Sequence, residues 1–206
     1  MERRRDNISA WALARFREHY GDAAITREDI FYYLYAALHH PAYREQYAVN
    51  LRRALPGAPF LRLGAEVGAA GDFHALAAWG RALADLHLYY EAQPEYPLVR
   101  RENPRVPPSL RVEKMALSPD KTALRVNEFL TLAGIPAAAY DYRLGNRSAL
   151  EWMVEQCQVK TDARSGIVND PNRPDDAGYI VRLVGQVIHV SLETPKRVGQ
   201  IAQAAW

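Results

Sequence analysis

The densest polar chemistry in the sequence runs from Tyr140 to Arg173, where Arg143, Asn146, Arg147, Ser148, Gln156, Gln158, Lys160, Thr161, Arg164, Ser165 and Asn169 follow one another closely. An arginine can grip the edge of a guanine with two hydrogen bonds, and asparagine or glutamine can do the same for adenine. Lysine, serine, threonine and backbone amides suit phosphate oxygens. Gly145-Asn146-Arg147-Ser148 precedes a predicted helix, so its amides are expected to face an anion at the positive helix end. The candidate DNA-contacting set is therefore Arg143, Asn146, Arg147, Ser148, Gln156, Lys160, Arg164, Ser165 and Asn169. A solvated loop with internal ion pairs fits the same composition, because the five basic residues of this segment are matched by Asp141, Glu151, Glu155, Asp162 and Asp170.

Two further sets carry possible chemistry. From Arg100 to Lys114 there are five basic residues against Glu102 and Glu113. A segment with that excess could track phosphates, or serve as a solvated connector. Phe31, Tyr32, Tyr33 and Tyr35 could stack on bases, but they recur with the period of a helix core face and are assigned to packing.

Much chemistry is missing. No glycine-rich loop ends in Lys-Ser/Thr, and Gly64, Gly68 and Gly71 lack the strand-turn-helix spacing of a dinucleotide fingerprint. There is no Gly-x-Ser-x-Gly elbow. His39 and His40 are adjacent, so on a helix they diverge by about 100° and make a poor metal pair. His74 and His87 lack ligand partners at useful spacing. Asn169-Asp170-Pro171-Asn172 superficially resembles the base-holding loop of adenine methyltransferases, but Asp170 interrupts the Asn-Pro step and no aromatic residue follows to stack a base. It is read instead as an Asx turn with proline. Neither a catalytic constellation nor a metal or cofactor site is expected.

The elements that must position these residues follow from composition and period. The chain has 206 residues, 49% hydrophobic and 24% charged, with a formal net charge of +2. That balance supports an ordinary hydrophobic core, and it is too mild to identify a nucleic-acid partner by charge alone. The single cysteine, Cys157, excludes an internal disulfide, and a reducing, cytoplasmic setting is expected. The start, Met1-Glu-Arg-Arg-Arg5, is basic but is not followed by the apolar run of a signal peptide, and no stretch is long enough to span a membrane.

A helix is predicted from Ile8, Trp11, Leu13, Phe16 and Tyr20, ending at Gly21. Thr26 and Asp29 predict a capped second helix, with Ile30, Phe31, Leu34, Tyr35 and Leu38 on its apolar face. Pro41 opens a third, with Tyr43, Tyr47, Leu51 and Leu55 on one side, closed by Pro56-Gly57. A fourth spans about Phe73 to Tyr90. Pro94 to Pro108, with five prolines, is expected to be a linker or ordered loop. Strands are predicted from Leu110 to Leu117 and from Thr122 to Asn127 around a Ser118-Pro-Asp-Lys121 turn, with a third possible at Phe129 to Leu132. Ser148 to Gln156 is predicted helical, Lys160 to Pro174 a polar loop, Tyr179 to Val190 a helix, and Pro195 the start of a last short helix. The expected fold is α+β, mainly helical with a small antiparallel sheet in mid-chain. It forms a single target-recognition-like domain, with a helical lobe (1–93), a linker (94–109) and a sheet-plus-helix lobe (110–206).

Several segments together resemble one family. Ile25-Thr-Arg-Glu-Asp-Ile-Phe-Tyr-Tyr33, His40-Pro-Ala-Tyr-Arg-Glu-Gln-Tyr47, Asn146-Arg-Ser-Ala-Leu-Glu-Trp152, Gln158-Val-Lys-Thr-Asp162, Arg164-Ser-Gly-Ile-Val-Asn-Asp-Pro-Asn172 and Val190-Ser-Leu-Glu-Thr194 look like the C-terminal specificity domain of type ISP restriction-modification enzymes. The similarity runs from about Ile8 to Ala202. What it implies is a non-catalytic domain that reads an asymmetric site in double-stranded DNA. Such a domain presents the site to an N6-adenine methyltransferase, within a polypeptide that also carries a nuclease and an ATP-driven translocase. The chain departs from that architecture by starting at its own Met1 without the upstream parts, as expected of a separate domain, a split subunit or the remnant of a decayed gene. The alternative expectation is an interaction module that docks on the methyltransferase and binds DNA only within the assembly.

Overall fold

Local signals at helix ends set most of the first half. The computed structural model of the chain describes residues 6–55, 57–64 and 69–205; the basic start at 1–5, Pro56 and Gly68, used above, lie outside them. Helix α1 (Ala10–Tyr20) begins where the Ser9 hydroxyl accepts the Ala12 amide at 3.1 Å, and it stops at Gly21 in the left-handed region, φ 67°. Helix α2 (Arg27–His39) carries the expected capping box: the Thr26 hydroxyl accepts the Asp29 amide, and the Asp29 carboxylate accepts the Thr26 amide. Pro41 occupies the first position of α3 (Pro41–Gln46). That helix is shorter than its apolar period suggested, giving way to a 3-10 turn at Asn50–Arg52 and leaving Leu55 exposed. Helix α4 is Ala69–Leu88.

The chain divides into two compact units, one of residues 1–88 with 196–206, the other of residues 89–195. In the first unit, Phe16, Tyr20, Ile25, Ile30, Tyr33, Leu61, Phe73 and Leu76 form the core. Its buried hydroxyls are satisfied: Tyr33 donates to the Pro59 carbonyl and accepts from the Leu61 amide and the Tyr20 hydroxyl. Helices α2 and α4 approach so closely that a Cβ on Gly80 would lie 1.9 Å from the Tyr32 carbonyl oxygen.

The second unit holds an antiparallel sheet in the order β1-β4-β3-β2, built from β1 (Val99–Glu102), β2 (Ala116–Leu117), β3 (Ala123–Arg125) and β4 (Leu130–Ala133). Register follows from pairs such as Arg101 with Thr131 and Leu124 with Leu132. Leu124, Leu130 and Leu132 pack with Leu150 and Met153 of α5 (Ala149–Gln156) and with Ile180, Val184 and Ile188 of α6 (Tyr179–Ile201). Two small hairpins complete the unit: β5 (Arg143–Leu144) with β6 (Arg147–Ser148), and β7 (Lys160–Thr161) with β8 (Val168–Asn169). The expected α+β class with a mid-chain sheet is what the structure has.

Four local expectations are corrected. The stretch between Pro94 and Pro108 is not all loop: Val99–Glu102, which contains no proline, adds an edge strand to β4. Most of the predicted strand from Leu110 is irregular. Side-chain amides take its hydrogen bonds instead: Asn127 donates to the Ser109 and Arg111 carbonyls, and Asn172 accepts from the Val112 amide and donates to its carbonyl. Lys160–Pro174 contains the β7–β8 hairpin. Pro195 lies inside α6 and does not open a new helix.

Helix α5 starts from a second capping box. The Ser148 hydroxyl accepts the Glu151 amide while the Glu151 carboxylate accepts the Ser148 amide at 2.9 Å, and Lys121 Nζ reaches the same carboxylate at 2.6 Å. The Lys121 hydrogen bond first, and the Ser148 amide second, pull the Glu151 carboxyl down to about 2. A depressed carboxyl stabilises the fold above its ordinary value, and that contribution drains away as pH falls from about 4.5 to about 2.

Gly80→Ala is expected to destabilise the chain by about 3 kcal/mol, the upper end for overpacking, because backbone and not a flexible side chain blocks the methyl; urea unfolding measures it. Glu151→Gln is expected to cost about 1 kcal/mol at neutral pH through the weakened cap. In a pH series of the same unfolding experiment, its difference from wild type should shrink below pH 4.5 and close near 2.

Candidate nucleic-acid interface

Residues 89–195 carry thirteen lysines and arginines against fourteen aspartates and glutamates, so any anion-binding surface on this unit depends on local arrangement. The arrangement starts from α5. Eight residues of helix rise about 12 Å. The β5–β6 hairpin runs into its first residue, and the β7–β8 hairpin begins just beyond its last.

At the first end, Gly145 at φ 71° lets the chain reverse between β5 and β6. Arg143, Asn146 and Arg147 are exposed there. The Arg143 guanidinium donates to the Asn146 carbonyl, and Arg147 is ion-paired with Glu155 on α5. Ser148 is placed differently from its expected role. It is fully buried, its amide and hydroxyl are engaged with Glu151, and that carboxylate already occupies the anion position at the helix N-terminus. The expectation that these amides face an external anion is corrected by this internal one. Gln156 is exposed at the last turn of α5.

At the second end, residues 160–170 are all exposed, bringing Lys160, Arg164, Ser165 and Asn169 onto one hairpin. Ser165 is tied to the loop: its amide and hydroxyl donate to the Asp162 carboxylate at 2.7 and 2.9 Å. Those donors, the Ser165 amide foremost, hold the Asp162 carboxyl below its usual range. Lys160 and Arg164 make no ion pair among the described residues. The Asn169–Asn172 segment forms the expected Asx turn, with the Asn172 amide donating to the Asp170 carboxylate at 2.9 Å. Asn172 first, then Arg111, lowers the Asp170 carboxyl to about 2, so Arg111 faces a permanent negative charge at 2.6 Å.

Beside this hairpin lies a surface groove of about 410 Å³ lined by Ser109, Arg111, Lys114, Arg125 and Phe129 among others. The Val159 amide donates to the Glu113 carbonyl at 3.0 Å, which joins the groove wall to the base of the hairpin. Lys114 and Arg125 are exposed and have no ion pair among the described residues. Arg125 was missed in the sequence. Its signal is the alternation Leu124-Arg125-Val126, in which the arginine alone is exposed between two buried apolar side chains. Of the other basic residues flagged nearby, Arg100 pairs loosely with Glu102 at 3.8 Å, while Arg101 and Arg105 are exposed. Of the aromatic set on α2, only Tyr33 is buried, and Tyr32 lies under the Arg81 guanidinium at 4.0 Å; Phe31, assigned above to packing, is corrected to an exposed position, 47% accessible. Among the described residues there is no group of three or more His, Cys, Asp or Glu side chains able to hold a metal ion, and no helix long and apolar enough to cross a membrane.

Three solved structures share this architecture. DrdV in a complex with DNA is 40% identical and covers 95% of the chain at a TM-score of 0.76. A nuclease-deletion mutant of the Type ISP restriction-modification enzyme LlaGI, in complex with a DNA substrate mimic, is 37% identical and covers 87% at 0.74. The ATP-dependent Type ISP restriction-modification enzyme LlaBIII, bound to DNA, is 34% identical and covers 87% at 0.74. The chain spans 20%, 16% and 11% of the lengths of those three chains, respectively. No curated protein matches it. A family model described as the Type ISP C-terminal specificity domain matches residues 1–183. With the same fold and at least 34% identity to these enzymes, the chain belongs to the Type ISP C-terminal specificity domain family.

Proposed function

We propose that the chain is the sequence-reading part of a restriction-modification system, recognising a site in double-stranded DNA and presenting it to an N6-adenine methyltransferase. The observation that carries this is the exposed β7–β8 hairpin. It holds Lys160, Arg164 and Asn169 outward beside a groove whose Lys114 and Arg125 have no acidic partner among the described residues. Lysine and arginine at the groove supply phosphate contacts that set register, while hairpin side chains meet base edges. On the other side of α5, Arg143, Asn146 and Arg147 form the second contact region, with Gln156 between the two. Ser148 is left out of the contact set, because its polar atoms serve the helix cap. The related structures, solved as DNA complexes, support the ligand. Their greater length supports service beside a methyltransferase and translocase portion, and such a role belongs in the cytoplasm. No chemistry is assigned to the chain itself.

A second version has the chain gripping DNA only when docked on the methyltransferase portion. The near balance of charge in residues 89–195 favours it, since there is little net attraction to bring DNA to the isolated unit.

Fluorescence anisotropy with a random duplex pool, titrated at several salt concentrations and followed by sequencing of the bound fraction, separates the two. Tight binding by the chain alone with enrichment of one short site is expected from the first. Binding only after the methyltransferase portion is added supports the second. Lys114→Ala with Arg125→Ala is expected to flatten the dependence of log affinity on log salt by about 2, near 0.9 per phosphate contact. Substituting Arg143, Arg147 and Arg164 together by glutamine is expected to weaken binding; unchanged affinity and site preference would remove those residues from the interface.

A further inference from the structure

The β7–β8 hairpin spends neither face on the core, yet it is held in one shape. Residues 160–170 are all exposed. The loop is closed by the Asp162 carboxylate, which accepts the Arg164 and Ser165 amides at 3.0 and 2.7 Å. It is also closed by backbone bonds from Asp162 to the Ile167 carbonyl and from Gly166 to the Asp162 carbonyl, both 2.9 Å. Gly166 supplies the left-handed turn residue, φ 70°. At its base the hairpin is anchored through Val159 to Glu113, Asn172 to Val112 and Asp170 to Arg111. A lone two-stranded hairpin is marginal in water. This one is ordered from both ends while both faces stay open.

Register decides what each face offers. Lys160 pairs with Asn169 and Thr161 with Val168, and the Asp162–Ile167 bond continues the ladder. Directly opposed residues share a face, and successive residues alternate. One face therefore presents Lys160, Asn169 and Ile167, with the Asp162 carboxylate turned into the loop. The other presents Thr161 and Val168. Ile167 is 68% exposed, an aliphatic side chain held in water on the same hairpin as Lys160 and Arg164, which have no acidic partner among the described residues.

We propose that this ribbon enters the major groove of the recognised duplex and that Ile167 packs on the 5-methyl group of a thymine. In the same arrangement Asn169 holds an adenine about two base pairs away. The inference rests on the DNA-reading function proposed above. A two-stranded ribbon fits the major groove, about 12 Å wide, and not the minor groove of about 6 Å. The thymine methyl is the one apolar group on the major-groove base edges, and asparagine matches adenine there. Side chains two residues apart on a strand lie about 7 Å apart, the rise of two base pairs. Lys160 and Arg164 then fall toward the phosphates flanking the groove.

The site enriched from the duplex pool is resynthesised with each thymine in turn replaced by deoxyuridine, which removes only the methyl. Binding of wild type, Ile167→Ala and Asn169→Ala is then measured, with the methyltransferase portion present if the chain requires it. One uracil substitution is expected to weaken wild-type binding about fourfold, the worth of one buried methyl, and to leave Ile167→Ala unaffected. Asn169→Ala is expected to lose its preference for one adenine two base pairs from that thymine. Ile167 belongs to neither core, so Ile167→Ala should keep the wild-type unfolding midpoint. A selected site without thymine, neutral uracil substitutions throughout, or equal losses in wild type and Ile167→Ala overturns this inference and leaves DNA recognition standing. No duplex binding under either condition removes both.

Discussion

Asn127 and Asn172 do for residues 109–112 what a neighbouring strand would do. Asn127 donates to the Ser109 and Arg111 carbonyls, at 3.0 and 2.8 Å, and its own oxygen accepts the Phe129 and Leu130 amides. Asn172 pairs with both backbone groups of Val112, at 2.9 and 2.7 Å. Each such bond contributes about 1 kcal/mol net, and leaving the buried ends unpaired would cost more. Val112 is fully buried, so the segment is fixed between the sheet and the base of the β7–β8 hairpin. Groove and hairpin share that one wall. The two asparagines thus fix the segment that carries Arg111 and Lys114 and, with the Val159–Glu113 and Arg111–Asp170 contacts, the direction of the hairpin.

Charge is deployed with the same economy. Six of the thirteen cations of the second unit are answered by an acid: Arg100 by Glu102, Arg111 by Asp170, Lys121 by Glu151, Arg147 by Glu155, Arg173 by Glu91 and Arg182 by Asp176. Exposed ion pairs of this kind add little stability, but each removes local attraction for a polyanion. Among the described residues, seven cations of this unit have no ion pair: Lys114 and Arg125 at the groove, Lys160 and Arg164 on the β7–β8 hairpin, Arg101 and Arg105 in and just beyond β1, and Arg143 in β5. For a specificity domain this is a useful bias: weak general attraction favours base contacts over indiscriminate phosphate binding.

Capping chemistry shows how one residue type can mislead. Ser148 looks like a phosphate ligand at a helix start, and Thr26 looks like a cap. Both are caps, and both are followed three residues later by an acid that closes the box. The acid, Glu151, is visible in the sequence; what is not visible is that Lys121 arrives from the β2–β3 turn to hold it in place. An internal carboxylate so secured leaves no vacancy for an external anion.

The α+β class, the capped second helix, the turn at Ser118–Lys121 and the family were legible in the sequence, because capping, period and turn chemistry act over a few residues and the matched segments are long. The sequence also named Lys160, Arg164 and Asn169 as candidate contacts, and the fold sets the three together on one exposed hairpin. Tertiary structure alone decided that Val99–Glu102 is a strand and that residues from Leu110 are mostly not, since the partners that settle both are β4, Asn127 and Asn172, distant in the chain. It also decided which cations are free. Pairing depends on where a remote carboxylate lands, and a linear count of Arg, Lys, Asp and Glu carries no information about distance.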